Sequence, residues 1–280
     1  MDNSLFQMIK KTSKENPSNI ISAYKDNVAF ITGPDIELFT TDKKDTPDYY
    51  KLRKIKSSIS LKAETHNFPT TVEPFSGAAT GSGGEIRDRM AGGQASFPLA
   101  GSAVYMTSYP RTSKSKKWEQ NQIKKDWLYQ NPKDILIKAS NGASDYGNKF
   151  GQPLINGSVL TFEHSENNIN LGYDKVIMLA GGIGFGKENE SKKKKIKEGD
   201  YVVVLGGDNY RIGMGGGAVS SVNTGEFKNN IELNAVQRSN PEMQKRVSNV
   251  IRALAEEIDN PILSIHDLSL IHISEPTRPT

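Results

Sequence analysis

The sequence predicts an α/β chain, more strictly α+β, with a sheet-rich first part and an α/β second part. Three observations lead there. Short apolar runs bounded by Gly, Pro and Asn recur through the first half in strand-like alternation. Gly-rich stretches punctuate them. One long apolar stripe at helical spacing lies near the end, over residues 241–258.

In order, residues 19–39 alternate short apolar runs with Gly33-Pro34 and predict strands joined by turns, and residues 51–69 continue in the same texture. Residues 77–93 crowd Gly77, Gly81, Gly83, Gly84, Gly92 and Gly93 among charges, which predicts a loop over a ligand. Residues 100–109 predict another strand. Residues 111–134 predict a polar surface helix or excursion, with Trp118 and Trp127 as packing aromatics. A strand is expected at 135–138, then a second Gly/Asn-rich loop at 140–153. Residues 175–186 predict a buried strand ending in a turn, followed by a solvated lysine run at 192–195. Residues 201–205 predict a further strand entering Gly206-Gly207 and residues 213–217. The helix at 241–258, with Met243, Val247, Val250, Ile251, Leu254 and Ile258, is expected to lie on the sheet. The expected units are 1–168, a first domain, and 169–267, the start of a second. Residues 268–280 resemble a translated sequencing adapter and are set apart, so His272 is given no role.

Bulk composition narrows the function. Lys and Arg outnumber Asp and Glu only 36 to 32, with no basic face, so a nucleic-acid partner is not expected. The chain has no cysteine, which excludes a disulfide framework, a thiolate zinc site and a cysteine nucleophile within these residues. There is neither a signal-peptide pattern nor an apolar run of the ~20 residues that span a membrane, and the expectation is cytoplasmic, with no membrane partner.

The sharpest constellation is Lys62-Ala-Glu64-Thr65-His66-Asn67-Phe68-Pro69, followed by Gly77-Ala78-Ala79-Thr80-Gly81-Ser82-Gly83-Gly84-Glu85-Ile86-Arg87-Asp88. Side chains of a strand alternate, so Lys62, Glu64 and His66 share a face. A cation, a hard oxygen and a proton acceptor together suit phosphate chemistry with magnesium, and the same alternation also fits an exposed polar strand face. The glycines admit backbone N–H groups to phosphate oxygens, while Arg87 and Asp88 add an anion fork and a second metal ligand. No Gly-Lys-Ser/Thr closes the stretch, so it is not a Walker loop. Taken alone, Gln237 and Asp267 read by default as ordinary polar residues at element ends. His164 and His266 have no evident partner in the sequence.

These blocks, with Asn156-Gly157, residues 180–184, 205–221, 236–243 and Ile265-His-Asp, resemble in order the synthetase region of the large, single-chain formylglycinamidine ribonucleotide amidotransferases. The resemblance implies an aminoimidazole ribonucleotide synthetase-like fold, in which a sheet-rich first half joins an equivalent half in a barrel. It implies ATP and Mg2+, with a nucleotide loop at residues 77–88 and a nucleotide contact at Asn156, Gly157 and Ser158. Lys62 would contact ATP; Glu64, Asp88 and Asp267 would bind metal; His66 would be the catalytic proton acceptor. Thr65, His66, Asn67, Arg87 and Gln237 would hold the substrate, formylglycinamide ribonucleotide. Phe68 stands where many relatives carry histidine. The further implied partner is the remainder of the same polypeptide, a second synthetase half and a glutaminase domain. Two alternatives stay open: another ATP-using synthetase or kinase of this fold, against which the block at residues 236–241 argues, and a non-catalytic nucleotide-binding module.

Overall fold

In the computed structural model, residues 4–42, 46–114, 116–120, 130–206, 233, 236 and 239–267 are described. An N-terminal helix α1 (Leu5–Glu15) is closed by a capping box, in which the Ser4 hydroxyl accepts from the Gln7 N–H and the Gln7 side chain accepts from the Ser4 N–H. Three strands follow, β1 (Ile20–Ser22), β2 (Ala29–Thr40) and β3 (Lys51–Thr65), then two helices, α2 (Asn67–Val72) and α3 (Pro74–Met90). After β4 (Phe97–Thr107) and the short α4 (Lys117–Gln120) come the long α5 (Pro132–Phe150) and four strands, β5 (Leu154–Thr161), β6 (Glu163–Glu166), β7 (Ile169–Gly172) and β8 (Ile177–Lys187). The last described helix is α6 (Pro241–Ala255).

One sheet organises the chain, in the order β1-β2-β3-β8-β4-β5, antiparallel except where β4 and β5 run parallel. β8 pairs with β3 on one side (Glu64 opposite Ala180) and with β4 on the other (Ala103 opposite Ala180). A division between residues 168 and 169 would therefore cut this sheet through its middle. Hairpin pairing of β2 with β3 is local, but β8 must return from far along the chain to fill the gap that β4 alone cannot close.

Helices α3 and α5 cover one face. Met178 and Ala180 of β8, Ala103 and Tyr105 of β4 and Ala78 of α3 pack with Ile135, Ala139 and Ala143 of α5 in one core cluster. A second cluster joins Ile86 and Met90 of α3 to Tyr146 and Phe150 of α5 and to Ile251 and Ala255 of α6. So α6 rests on the helical layer, not on the sheet as its apolar stripe suggests. On the sheet's opposite face Ile183, one residue out of phase with Gly182, is 42% exposed.

Five further expectations are corrected. Residues 77–93 form no loop: most of them lie in α3. Residues 135–138 and most of 140–153 lie in α5, begun by the Asn131 cap with Pro132 behind it and ended by Gly151 at φ 94°. The glycines are there for close approach. A Cβ on Gly142 would lie 2.0 Å from the Phe75 carbonyl oxygen, so α5 crosses the start of α3 almost backbone to backbone. Residues 201–205 form no strand; among the described residues nothing pairs with them, and Tyr201 and Val202 are exposed. Trp118 is exposed rather than packed, and Trp127 lies outside the described residues. Gly207 and residues 213–217 lie outside them as well.

Candidate functional site

The site follows the seam between the end of β3 and α3. Lys62 and Glu64 point to the helical side of the sheet, as alternation requires, and His66 follows the strand as the N-cap residue of α2. A two-residue step along a strand advances about 6.6 Å and a helical turn about 5.4 Å, so successive strand side chains meet successive turns of an antiparallel helix. Accordingly Lys62 meets Asp88, Glu64 lies over Gly84, and His66 lies over Gly81 and Gly77.

The Lys62 ammonium is 2.6 Å from the Asp88 carboxylate. Burial works to lower the Lys62 pKa, but the Asp88 hydrogen bond and charge, with Glu64 and Asp267, raise it on balance. Burial raises Asp88, assisted by the Glu64 charge and opposed by hydrogen bonds from Lys62 and Asp267. Asp267, from the far end of the chain, thus joins the pair; its Oδ1 also accepts from Asn27 Nδ2 at 2.6 Å. Glu64 Oε2 is buried and has no hydrogen-bond partner. An orphaned carboxylate oxygen beside a second carboxylate is the feature that asks for a cation. Among the described residues no group of three His, Asp or Glu side chains is arranged to hold a metal ion by itself.

His66 Nδ1 is 2.6 Å from the Gly77 carbonyl oxygen. A carbonyl only accepts, so Nδ1 carries the proton and Nε2 keeps its lone pair. Burial pushes the ring pKa down to about 4, the Gly77 hydrogen bond opposing and the Arg87 charge assisting. The imidazole is therefore neutral at neutral pH. The unfolded chain takes up a proton near pH 6.5 and the folded one only near 4, so stability is complete above 6.5 and is lost as pH falls through that window. In denaturant unfolding, the wild-type chain should lose roughly 2–3 kcal/mol more than His66→Gln between these limits. Parallel pH profiles for the two proteins would contradict the assignment.

Arg87 Nη1 donates to Gln244 Oε1 of α6 at 2.9 Å. The same oxygen accepts from the Tyr146 hydroxyl of α5, and Gln244 Nε2 donates to the Gly83 carbonyl at 3.0 Å. Neither Tyr146 nor Gln244 was given a functional role from the sequence, although Tyr146 lies in the Gly/Asn-rich stretch at residues 140–153. Gln244 did leave a signal: it is a polar residue in register with Ile251 and Ala255 on the buried stripe of α6.

The helix at residues 74–90 corrects the expected phosphate cradle. Inside a helix the N–H groups are taken by carbonyls four residues back, so Gly81, Ser82, Gly83 and Gly84 have none to offer a phosphate. Ala78, Ala79 and Ile86 are core residues. Thr80 bonds its hydroxyl to the Ser76 carbonyl, and Glu85 pairs with Arg89 under the sheet. Glycine instead lets the helix approach: a Cβ on Gly81 would fall 2.9 Å from His66 Cβ, and one on Gly77 would fall 2.3 Å from the Pro69 carbonyl. Thr65 is exposed, and Asn67 Oδ1 is engaged by the Met178 N–H at 3.0 Å. Asn156, Gly157 and Ser158 lie on the edge strand β5, three strands from Ala63 through Gly181 and Ser102, about 14 Å away. They are not brought to the seam. Gln237 lies outside the described residues. His164 and His266 are exposed, beside Glu166 and Lys193.

Comparison with known proteins bears on this arrangement. The family described as AIR synthase related protein, C-terminal domain, matches residues 197–270; it starts beyond β8 and reaches three residues into the segment set apart as adapter-like. Phosphoribosylformylglycinamidine synthase of Dictyostelium discoideum is 40% identical over 272 residues, covering 95% of this chain and 20% of the relative. That of Schizosaccharomyces pombe is 41% identical with the same coverage. Among solved structures, Thermotoga maritima PurL complexed with FGAR superimposes with a TM-score of 0.54 at 21% identity, over 88% of this chain and 32% of that one, which shows a common fold. Over nearly its whole length, then, the chain is related to a segment making up about a fifth of the phosphoribosylformylglycinamidine synthases.

Proposed function

We propose that this chain is the part of a phosphoribosylformylglycinamidine synthase that holds ATP and formylglycinamide ribonucleotide, working with further polypeptide that supplies the second synthetase half and the glutaminase. The reaction would convert formylglycinamide ribonucleotide, glutamine and ATP to formylglycinamidine ribonucleotide, ADP, phosphate and glutamate. The observation that carries this reading is the convergence of Lys62, Glu64, His66, Arg87 and Asp88 on one seam, in a chain 40% identical to such synthases. No described helix is long and apolar enough to cross a membrane.

An amide oxygen leaves poorly. Transfer of the γ-phosphoryl group to it makes an iminophosphate, from which ammonia displaces phosphate. Lys62 would offset charge on the transferring phosphoryl group, and Arg87 would hold an anionic group of the ribonucleotide. His66 would accept a proton at Nε2 as ammonia adds, since its ring is neutral and its Nδ1–H is already committed to Gly77.

Glu64 and Asp88, with Asp267 beside them, would hold magnesium. The unpartnered oxygen of Glu64 is a hard donor, and magnesium is commonly held by one or two carboxylates with water and phosphate oxygens completing its shell. Bound there, the ion would neutralise phosphate charge. In the complete polypeptide, His66→Ala should reduce synthesis by roughly 100-fold or more while leaving glutamine hydrolysis measurable. Unchanged synthesis would remove the proton-acceptor role.

A further inference from the structure

We propose that Gln244 and Tyr146 are positioning residues that fix the guanidinium of Arg87 for an anionic group of the substrate. This rests on the proposed role of Arg87 above. Three helices bring their groups to one point. Gln244, 7% exposed on α6, uses both lone pairs of Oε1, one for Arg87 Nη1 at 2.9 Å and one for the Tyr146 hydroxyl, while its Nε2 binds the Gly83 carbonyl at 3.0 Å. Tyr146 on α5 is buried, and it fits because residue 83 lacks a side chain: a Cβ there would lie 2.5 Å from the Tyr146 ring.

Packing alone does not call for this arrangement. An apolar side chain at position 244 together with phenylalanine at position 146 would fill the same space with no buried hydroxyl or amide to satisfy. A buried amide with its oxygen doubly engaged and its N–H2 anchored holds one orientation, and so holds one nitrogen of an otherwise flexible arginine. Arg87 has five N–H donors, and Gln244 takes one of them, on Nη1. Nη2 lies on the Glu64 side of α3, 3.7 Å from the point where a Gly84 Cβ would stand, with Glu64 Oε2 3.2 Å from that same point. The guanidinium is thus gripped from behind by α5 and α6 and presented beside Glu64. The docking of α6, from the C-terminal part of the chain, sets how the arginine is presented on α3.

The test is steady-state kinetics of the complete polypeptide with ammonia as nitrogen donor. Gln244→Met removes both acceptor lone pairs at nearly the same length and should raise KM for the ribonucleotide roughly 10–100-fold, with little change in kcat or in KM for ATP. Gln244→Glu keeps an acceptor for both donors but loses the Nε2–H bond to the Gly83 carbonyl, so it should raise the same KM by a smaller factor than Gln244→Met. Tyr146→Phe, which keeps the ring, should raise the same KM by a smaller factor and serves if Gln244→Met does not fold. In an Arg87→Ala background, Gln244→Met should have no further effect. A full additive effect there, or an unchanged KM in Gln244→Met and Tyr146→Phe, overturns the proposal while leaving Arg87 as a substrate residue. An unchanged KM in Arg87→Ala overturns the role of Arg87 and the positioning role with it.

Discussion

Arg89→Met should destabilise the chain by about 3–5 kcal/mol, the range found when one member of a buried ion pair is removed. Arg89 and Glu85, one helical turn apart on α3, are 0% and 1% exposed and 2.6 Å from each other. The guanidinium also donates to the Ile183 carbonyl of β8 and to Gln152, and Gln152 returns a hydrogen bond to the second Glu85 oxygen at 2.6 Å. Room for this closed circuit comes from Gly182, where a Cβ would lie 2.6 Å from the guanidinium. Burial pushes the Glu85 carboxyl up to about 7, with Arg89 and Gln152 pulling it back, so the charge depends on its partners. The methionine variant leaves the Glu85 carboxyl without its ion partner and the Gln152 amide oxygen unsatisfied in the core. Urea unfolding measures the loss, and a change below about 1 kcal/mol would contradict it. Replacing Glu85, Arg89 and Gln152 together with apolar residues should recover most of the stability, because the cost lies in breaking the circuit and not in lacking it.

Gly77→Ala is expected to lower stability by about 1–3 kcal/mol and to damage activity beyond that. Alanine is the better helix former by about 1 kcal/mol, so propensity alone predicts the opposite sign. The clash decides: the added Cβ would lie 2.3 Å from the Pro69 carbonyl and 2.5 Å from the Thr70 nitrogen, both main-chain atoms that yield only if α2 moves. That movement would separate the Gly77 carbonyl from His66 Nδ1, the bond that fixes the ring tautomer. Gly84→Ala supplies the contrast, since its Cβ would meet only side-chain ends, the Glu64 carboxylate at 3.2 Å and Arg87 Nη2 at 3.7 Å. Its stability should hold or rise while synthesis falls. Thermal unfolding of both variants, beside their rates in the complete polypeptide, checks the pair; equal behaviour would show that the seam does not discriminate between them.

Much of this arrangement was legible in the sequence because period-two alternation needs only local information. It placed Lys62 and Glu64 on one face and located β4 and β8 closely, while β2 runs unbroken through Gly33-Pro34, where a turn was expected, and the strand expected to continue to residue 69 ends at Thr65 before α2. The stripe on α6 was legible for the same reason, at the helical period. The helices α3 and α5 were not. Gly77, Gly81, Gly84 and Gly142 carry low helix propensity, and the compensation for it, backbone-close packing against Pro69, His66, Glu64 and Phe75, comes from residues of other elements. The docking of α6 on helices instead of on strands was equally hidden, since a stripe announces that it will be covered but not by what. Tyr146 and Gln244 meet Arg87 only after three helices have packed; the register of Gln244 with Ile251 and Ala255 marks it as buried, but no spacing in the chain records its meeting with Arg87.

The central position of β8 bears on how such a chain is made. During synthesis β2 and β3 can close as a hairpin as soon as both leave the ribosome, and β4 can pair with β5 once residue 161 is out, yet the other edge of β4 must stay open until residue 187 has emerged. Ribosome-bound chains ending before β8 should therefore be the ones that chaperones hold, and release should coincide with arrival of this glycine-rich strand.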